Sequence, residues 1–194
     1  MLSRSEFNAA CKAYIAKRQH AWTWNEHPTW PNFGYMSRST VHTKRGPQLA
    51  QYDEDEQVLD EATASTDMEA IICEQYVVYS ATFQVPTFYF TMNSSQGAPL
   101  SLDDILCTTL LRASAFEGTE NRGFGLTPPM SSIPLVSQGE HPSLGTPCWY
   151  LHPCETAKAV EELVAEKGPG ADVIETWLVV VGHAVELGNA TERI

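Results

Sequence analysis

Glu69-Ala-Ile-Ile-Cys-Glu-Gln-Tyr-Val-Val-Tyr-Ser-Ala-Thr-Phe-Gln-Val-Pro-Thr-Phe-Tyr-Phe-Thr-Met92 reads as two strands in succession. From Glu69 to Val85 the side chains alternate. Val77, Tyr79, Ala81, Phe83 and Val85 share one face, and Tyr76, Val78, Ser80, Thr82 and Gln84 share a more polar one. Pro86 has no N–H to give a ladder, so the first strand is expected to stop there. Thr87 to Met92 resumes with Phe88, Phe90 and Met92 in alternation. An antiparallel hairpin bent at Gln84-Val85-Pro86 follows, with Asn93 to Gly97 as the next turn.

Upstream of the hairpin, Tyr35 to Thr43 is expected to be a strand, preceded by an aromatic loop, Ala21 to Met36, that holds Trp22, Trp24 and Trp30. Ser5 to His20 has Phe7, Ala10, Cys11, Tyr14 and Ile15 at helical spacing, with Ser3 or Ser5 as cap. Lys44 to Thr66 carries Asp53-Glu54-Asp55-Glu56 and Asp60-Glu61 and reads as a mobile acidic loop. Downstream, Ser101 to Glu117 is expected to be a helix, with Ser101 and Asp104 as a capping box and Gly118 as its stop. Thr119 to Ser132 is expected to be loop and Ile133 to Gly139 a short strand. Two further helices are expected over Glu155 to Lys167 and from a cap at Asp172 to about Leu187. Strands followed by helices imply an α+β fold, a central antiparallel sheet of about four strands flanked by helices. Residues 1–194 are expected to form a single domain.

Of the residues, 43% are hydrophobic, enough for a proper core. A net charge of −12 argues against a nucleic-acid partner and against an anionic membrane surface, both of which ask for basic residues. An acidic chain can still meet a basic patch on another protein. The opening residues lack the apolar run of a signal peptide, and no stretch approaches the roughly 18 apolar residues of a membrane span. The five cysteines are odd in number and scattered, so free thiols in a reducing, cytoplasmic compartment are expected.

The stretch with the most chemistry is His141-Pro-Ser-Leu-Gly-Thr-Pro-Cys-Trp-Tyr-Leu-His-Pro-Cys154. If Pro147 to His152 is extended, Cys148, Tyr150 and His152 share a face. Cys154 then stands at the start of a helix, where the dipole draws a thiol down from roughly 8.5 and favours its nucleophilic form. The plain alternative is a buried structural thiol. Zinc would accept His141, Cys148, His152 and Cys154 as ligands, although the set lacks a Cys-x-x-Cys knuckle and two prolines stiffen its path. There is no Gly-x-Ser-x-Gly elbow, no phosphate-binding glycine loop and no papain-type signature.

Leu151-His152-Pro153-Cys154, with His141-Pro142 upstream, resembles the catalytic stretch of the autophagy ubiquitin-conjugating-type enzymes. The hairpin agrees through Tyr79, Gln84-Val85-Pro86, Tyr89-Phe90, Gly97 and Pro99-Leu100. So do Trp177-Leu178 and Val181-Gly182 near the end, and Phe7, Cys11, Trp22, Trp24 and Gly34-Tyr35-Met36 near the start. The resemblance implies a ubiquitin-conjugating-enzyme-like core that works as a monomer with no metal or small-molecule cofactor. It implies that Cys154 accepts a ubiquitin-like protein as a thioester from an activating enzyme, autophagy-related protein seven. One branch of the family passes autophagy protein twelve to a lysine of autophagy protein five. A lipidating sister passes autophagy protein eight to phosphatidylethanolamine and typically carries a larger acidic insert. The short Lys44 to Thr66 segment and the Trp-x-Trp, Gly-Tyr-Met opening favour the first branch. A non-catalytic binding module on the same fold is the remaining class. The asparagine of ordinary ubiquitin-conjugating enzymes is missing, and the resemblance points to Tyr79 and His152 as the groups flanking Cys154. The bland reading makes Tyr79 a sheet residue and His152 a structural histidine. Cys148 is a rival to Cys154 only by proximity.

Overall fold

The computed structural model describes residues 2–17, 22–44, 70–168 and 170–187. The expected acidic loop falls almost wholly outside the described residues, as do positions 18–20 of the first expected helix.

Helix α1 spans Arg4–Lys17. Ser3 and Glu6 cap each other reciprocally: the Glu6 N–H donates to Ser3 Oγ at 3.3 Å and the Ser3 N–H to Glu6 Oε2 at 2.7 Å. The sheet is antiparallel and flanked by helices, as expected. Among the described residues it holds eight strands rather than about four, in the order β1-β2-β3-β4-β8-β7-β6-β5. They are β1 Thr23–Asn25, β2 Tyr35–Thr43, β3 Ala70–Ser80, β4 Val85–Asn93, β5 Glu120–Asn121, β6 Gly125–Thr127, β7 Val136–Glu140 and β8 Pro147–Leu151. The remaining helices are α2 Leu102–Leu106, α3 Pro153–Lys167 and α4 Val173–Val181.

Strand β2 matches its expected span. The central hairpin is present but turns earlier than expected: β3 ends at Ser80 and the turn is Ala81 to Gln84, with Gln84 at φ 54° and its N–H on the Ser80 carbonyl. Pro86 therefore sits inside β4 opposite Tyr79 instead of breaking a strand. The extra strands come from short pieces. Three residues of the aromatic loop pair with β2, and the expected loop 119–132 contributes β5 and β6. Ladders this short carry too few residues to show a period of two in sequence.

The second expected helix is the largest correction. Its capping box is present: the Asp104 N–H donates to Ser101 Oγ at 3.2 Å. The helix nonetheless stops at Leu106. Thr108 Oγ1 bonds back to the Ile105 carbonyl at 2.7 Å, and the β-branched Thr108-Thr109 pair disfavours continuation. The chain instead bridges outward. Thr108 pairs with Lys44 and Leu111 with Val185, and a short 3-10 turn follows over Ala113–Phe116. The same Val185 bridge ends α4 at Val181, short of Leu187. Pairing energy from a distant segment outweighed a helical pattern in both places.

Helices α1, α4 and α3 lie side by side on one face of the sheet. The core beneath them holds Phe7, Met36, Val77, Phe88, Phe90, Trp177 and Leu178, all buried. The opposite face carries a tyrosine row, Tyr76 opposite Tyr89 and Tyr89 opposite Tyr150. Gly34 admits the close approach of β1 to the chain entering β2. A Cβ there would overlap the Trp24 ring and come within 2.7 Å of the Asn25 carbonyl.

Candidate active site

Strand β8 delivers the chain to α3. The His152 N–H donates to the Leu135 carbonyl at 2.8 Å, which ties the strand's exit to the segment before β7. Pro153 then opens α3 at N1, where its missing N–H costs nothing and its fixed φ suits a helix. His152 is the N-cap, and its Nδ1 accepts the Cys154 N–H at 3.4 Å. Cys154 occupies the second helical position and is half-buried. Its thiol therefore lies in the first turn, where the helix dipole favours a negative charge.

The other thiols differ. Cys11, Cys73 and Cys148 are buried, and Cys107 is exposed just past α2. Burial pushes Cys73 up to about 12 and moves Cys11 upward as well. Cys148 is 2% exposed, lies 3.9 Å from Thr146 Oγ1, and is raised chiefly by burial.

His152 faces the tyrosine side. Its ring lies 5.4 Å from Phe83 and 6.5 Å from Tyr150. Tyr79 is on the helix-covered side, with its ring 5.7 Å from Phe7 and its hydroxyl donating to the Leu2 carbonyl at 2.7 Å. One strand, β4, separates Tyr79 from the strand that leads to Cys154. Tyr79 and His152 therefore approach this end of the molecule from opposite faces of the sheet. Three surrounding groups were not picked out in the sequence. The Arg4 guanidinium lies over Tyr79 at 4.8 Å and over Phe33 at 4.0 Å, the Leu2 carbonyl holds Tyr79, and Phe83 stands against His152. No local pattern signals them, because each contact joins segments far apart in the chain.

His141 is remote from this chemistry. It is wholly buried, with ring centroids of Tyr35 at 4.7 Å and Tyr76 at 4.8 Å. Its Nδ1 accepts the N–H groups of Ser143 and Leu144, both at 3.1 Å. Burial lowers its pKa to about 4, so the ring is neutral near pH 7. A cleft of about 330 Å³ runs beside α3, lined by Leu2, Gln84, Val85, Ala157, Val160 and Val164. Ala157 is one helical turn beyond Cys154.

The family model for the autophagocytosis associated protein, active-site domain, matches residues 6–191, which spans the helix, the sheet and the Cys154 turn alike. The chain belongs to this family. Relatives share one name, ubiquitin-like-conjugating enzyme ATG10. The Homo sapiens protein is 26% identical over 211 residues, covering 96% of this chain and 89% of that protein. The Dictyostelium discoideum protein is 29% identical over 129 residues, covering 60% of this chain and 51% of that protein. The Arabidopsis thaliana protein is 30% identical over 137 residues, covering 65% and 54%. The chain thus spans about half the length of the last two. It is an autophagy enzyme of the ubiquitin-like-conjugating class, a ubiquitin-like protein transferase. No helix among the described residues is long and apolar enough to cross a membrane.

Proposed function

We propose that this family member carries autophagy protein twelve as a thioester on Cys154 and passes it to a lysine of autophagy protein five. The observation that carries the reading is the placement of Cys154. It is a half-buried thiol in the first turn of α3, while Cys11, Cys73 and Cys148 are buried. In the loading step the Cys154 thiolate attacks the thioester carbonyl on the activating enzyme, autophagy-related protein seven. The C–S bond to that enzyme breaks and its cysteine leaves as thiolate. In the transfer step a neutral lysine amine attacks the new thioester, the bond to Cys154 Sγ breaks, an amide forms, and the amine's surplus proton passes to solvent.

The same reading takes the whole chain as one ubiquitin-conjugating-like unit, acting as a monomer in the cytoplasm. Tyr79 and His152 would serve the transfer step from either side of Cys154, with Tyr79 orienting the lysine or stabilising the oxyanion. The Tyr79 hydroxyl would then have to exchange the Leu2 carbonyl for a reacting group, a modest cost for one neutral hydrogen bond.

The test is a charging assay with the activating enzyme, autophagy protein twelve and ATP, run on gels with and without reductant. A reductant-sensitive adduct is expected, and it should be lost or become a reductant-stable ester in Cys154→Ser. Tyr79→Phe should slow transfer more than loading. Equal loss of both steps would remove Tyr79 from the chemistry. Charging with autophagy protein eight in place of protein twelve would assign the chain to the lipidating branch, and no adduct with either would overturn the carrier role of Cys154.

A further inference from the structure

The chain contains three His-Pro dipeptides, and in each the histidine Nδ1 accepts the backbone N–H of the residue after the proline. In His27-Pro28, Nδ1 of the histidine accepts the N–H of Thr29 at 3.1 Å and of Trp30 at 3.0 Å. In His141-Pro142 it accepts those of Ser143 and Leu144, both at 3.1 Å. In His152-Pro153 it accepts that of Cys154 at 3.4 Å. The physical basis is common to the three. Proline fixes φ for a turn and offers no N–H, so the first donor comes from the residue after it. The imidazole Nδ1, two bonds beyond Cβ, stands where a capping Asn or Asp would put its oxygen. Two of these units lie outside the candidate site: one in the loop between β1 and β2, the other buried at the β7–β8 turn. The arrangement is therefore a property of His-Pro in this chain, and proximity to the reactive thiol does not create it.

We infer that His152 is a positioning residue: its Nδ1 holds the Cys154 amide in the first turn of α3, and it does not act as the base that deprotonates the attacking lysine. The inference rests on Cys154 being the carrier and specifies what its neighbour does. An acceptor Nδ1 carries no proton, so the neutral ring bears its proton on Nε2. A base role for Nε2 would need the opposite tautomer, which would set Nδ1–H against the Cys154 N–H, two donors head to head. Base action and the cap exclude each other. At 3.4 Å the His152 contact is the longest of these five.

The experiment compares His152→Ala, His152→Asn and His152→Ser in the complete charging and transfer reaction, with wild type run beside them. Asn and Ser retain a capping oxygen but no imidazole, whereas Ala retains neither. Transfer from preloaded enzyme is expected to fall about tenfold or more in His152→Ala, since a small displacement of the reacting atom is costly. It should recover to within about threefold of wild type in Asn and Ser. Far-ultraviolet circular dichroism and thermal midpoints confirm folding for each variant. Equal losses in all three folded variants would overturn the inference and restore an imidazole role. A second readout uses no partner protein. Long-range proton–nitrogen spectra of labelled wild type should show His152 with bare Nδ1 and protonated Nε2, the same pattern as His27 and His141. A protonated Nδ1 in neutral His152 would overturn the cap directly. Failure of wild type to form any thioester would instead remove the Cys154 reading, and the tautomer measurement would still decide the cap.

Discussion

Cys148 and Cys154 stand on either side of one short run, Trp149 to Pro153, yet their surroundings oppose each other. Cys148 lies in β8 on the tyrosine face, opposite Gly139 of β7, and is almost wholly buried. Burial raises its thiol and keeps it in the protonated, unreactive form near pH 7. Cys154 lies past the end of the sheet, in the first turn of a helix that begins with a proline, and keeps part of its surface. The same thiol is a packing group in one place and a candidate nucleophile in the other. Backbone direction makes the difference: a strand interior hides a small side chain between neighbours, whereas a helix start presents it to the dipole and to solvent.

The comparison breaks most decisively in the charging assay. Cys154→Ser should abolish the reductant-sensitive adduct, while Cys148→Ser should still charge. Loss of charging in a folded Cys148→Ser protein, with Cys154→Ser still active, would reverse the assignment. A reagent that needs no partner sharpens the same contrast. Brief alkylation with iodoacetamide at pH 7, followed by peptide mass spectrometry, should modify Cys154 at least tenfold faster than Cys148, Cys73 or Cys11. Comparable rates for Cys148 and Cys154 would mean that the β7–β8 pairing opens freely.

Two histidines buried among the described residues, His141 and His42 of β2, give the next test. His141 and His42 are both lowered from 6.5 to about 4, chiefly by burial, so each takes up a proton more readily in the unfolded chain. Stability is therefore complete above about pH 6.5 and falls as pH drops from there toward 4, by up to about 3 kcal/mol per histidine. Urea midpoints should decline between pH 7 and pH 5. In His141→Asn, which keeps a capping oxygen but cannot take the proton, the slope should be roughly halved. An unchanged slope would mean that His141 does not contribute. The smallest effect belongs to packing alone. Cys148→Ala should cost about 1 kcal/mol in chemical denaturation and leave charging of Cys154 intact.

Much of this arrangement is legible in the sequence. Tyr35 to Thr43, the central hairpin, α3 and the caps at Ser101 and Asp172 all rest on local rules of alternation, helical spacing and short polar residues before apolar runs. The face shared by Cys148, Tyr150 and His152 likewise follows from extended geometry between two prolines. The surroundings of Tyr79 were not legible. Its hydroxyl meets the Leu2 carbonyl, 77 positions away in the chain, and Arg4 lies on its ring. The same holds for Thr108 and Leu111, whose helical pattern yielded to bridges with Lys44 and Val185.

Sequence alone thus determined the long central strands β2, β3 and β4, the starts of α2, α3 and α4, and that a cysteine follows a His-Pro at one such start, because those features depend on neighbours in the chain. Only the tertiary structure decided that Cys148 is sealed and Cys154 is not, that Tyr79 and His152 approach from opposite faces, and that three separate histidines share one cap. Burial and the face a side chain meets are set by contacts between segments distant in sequence, and a one-dimensional pattern does not carry them.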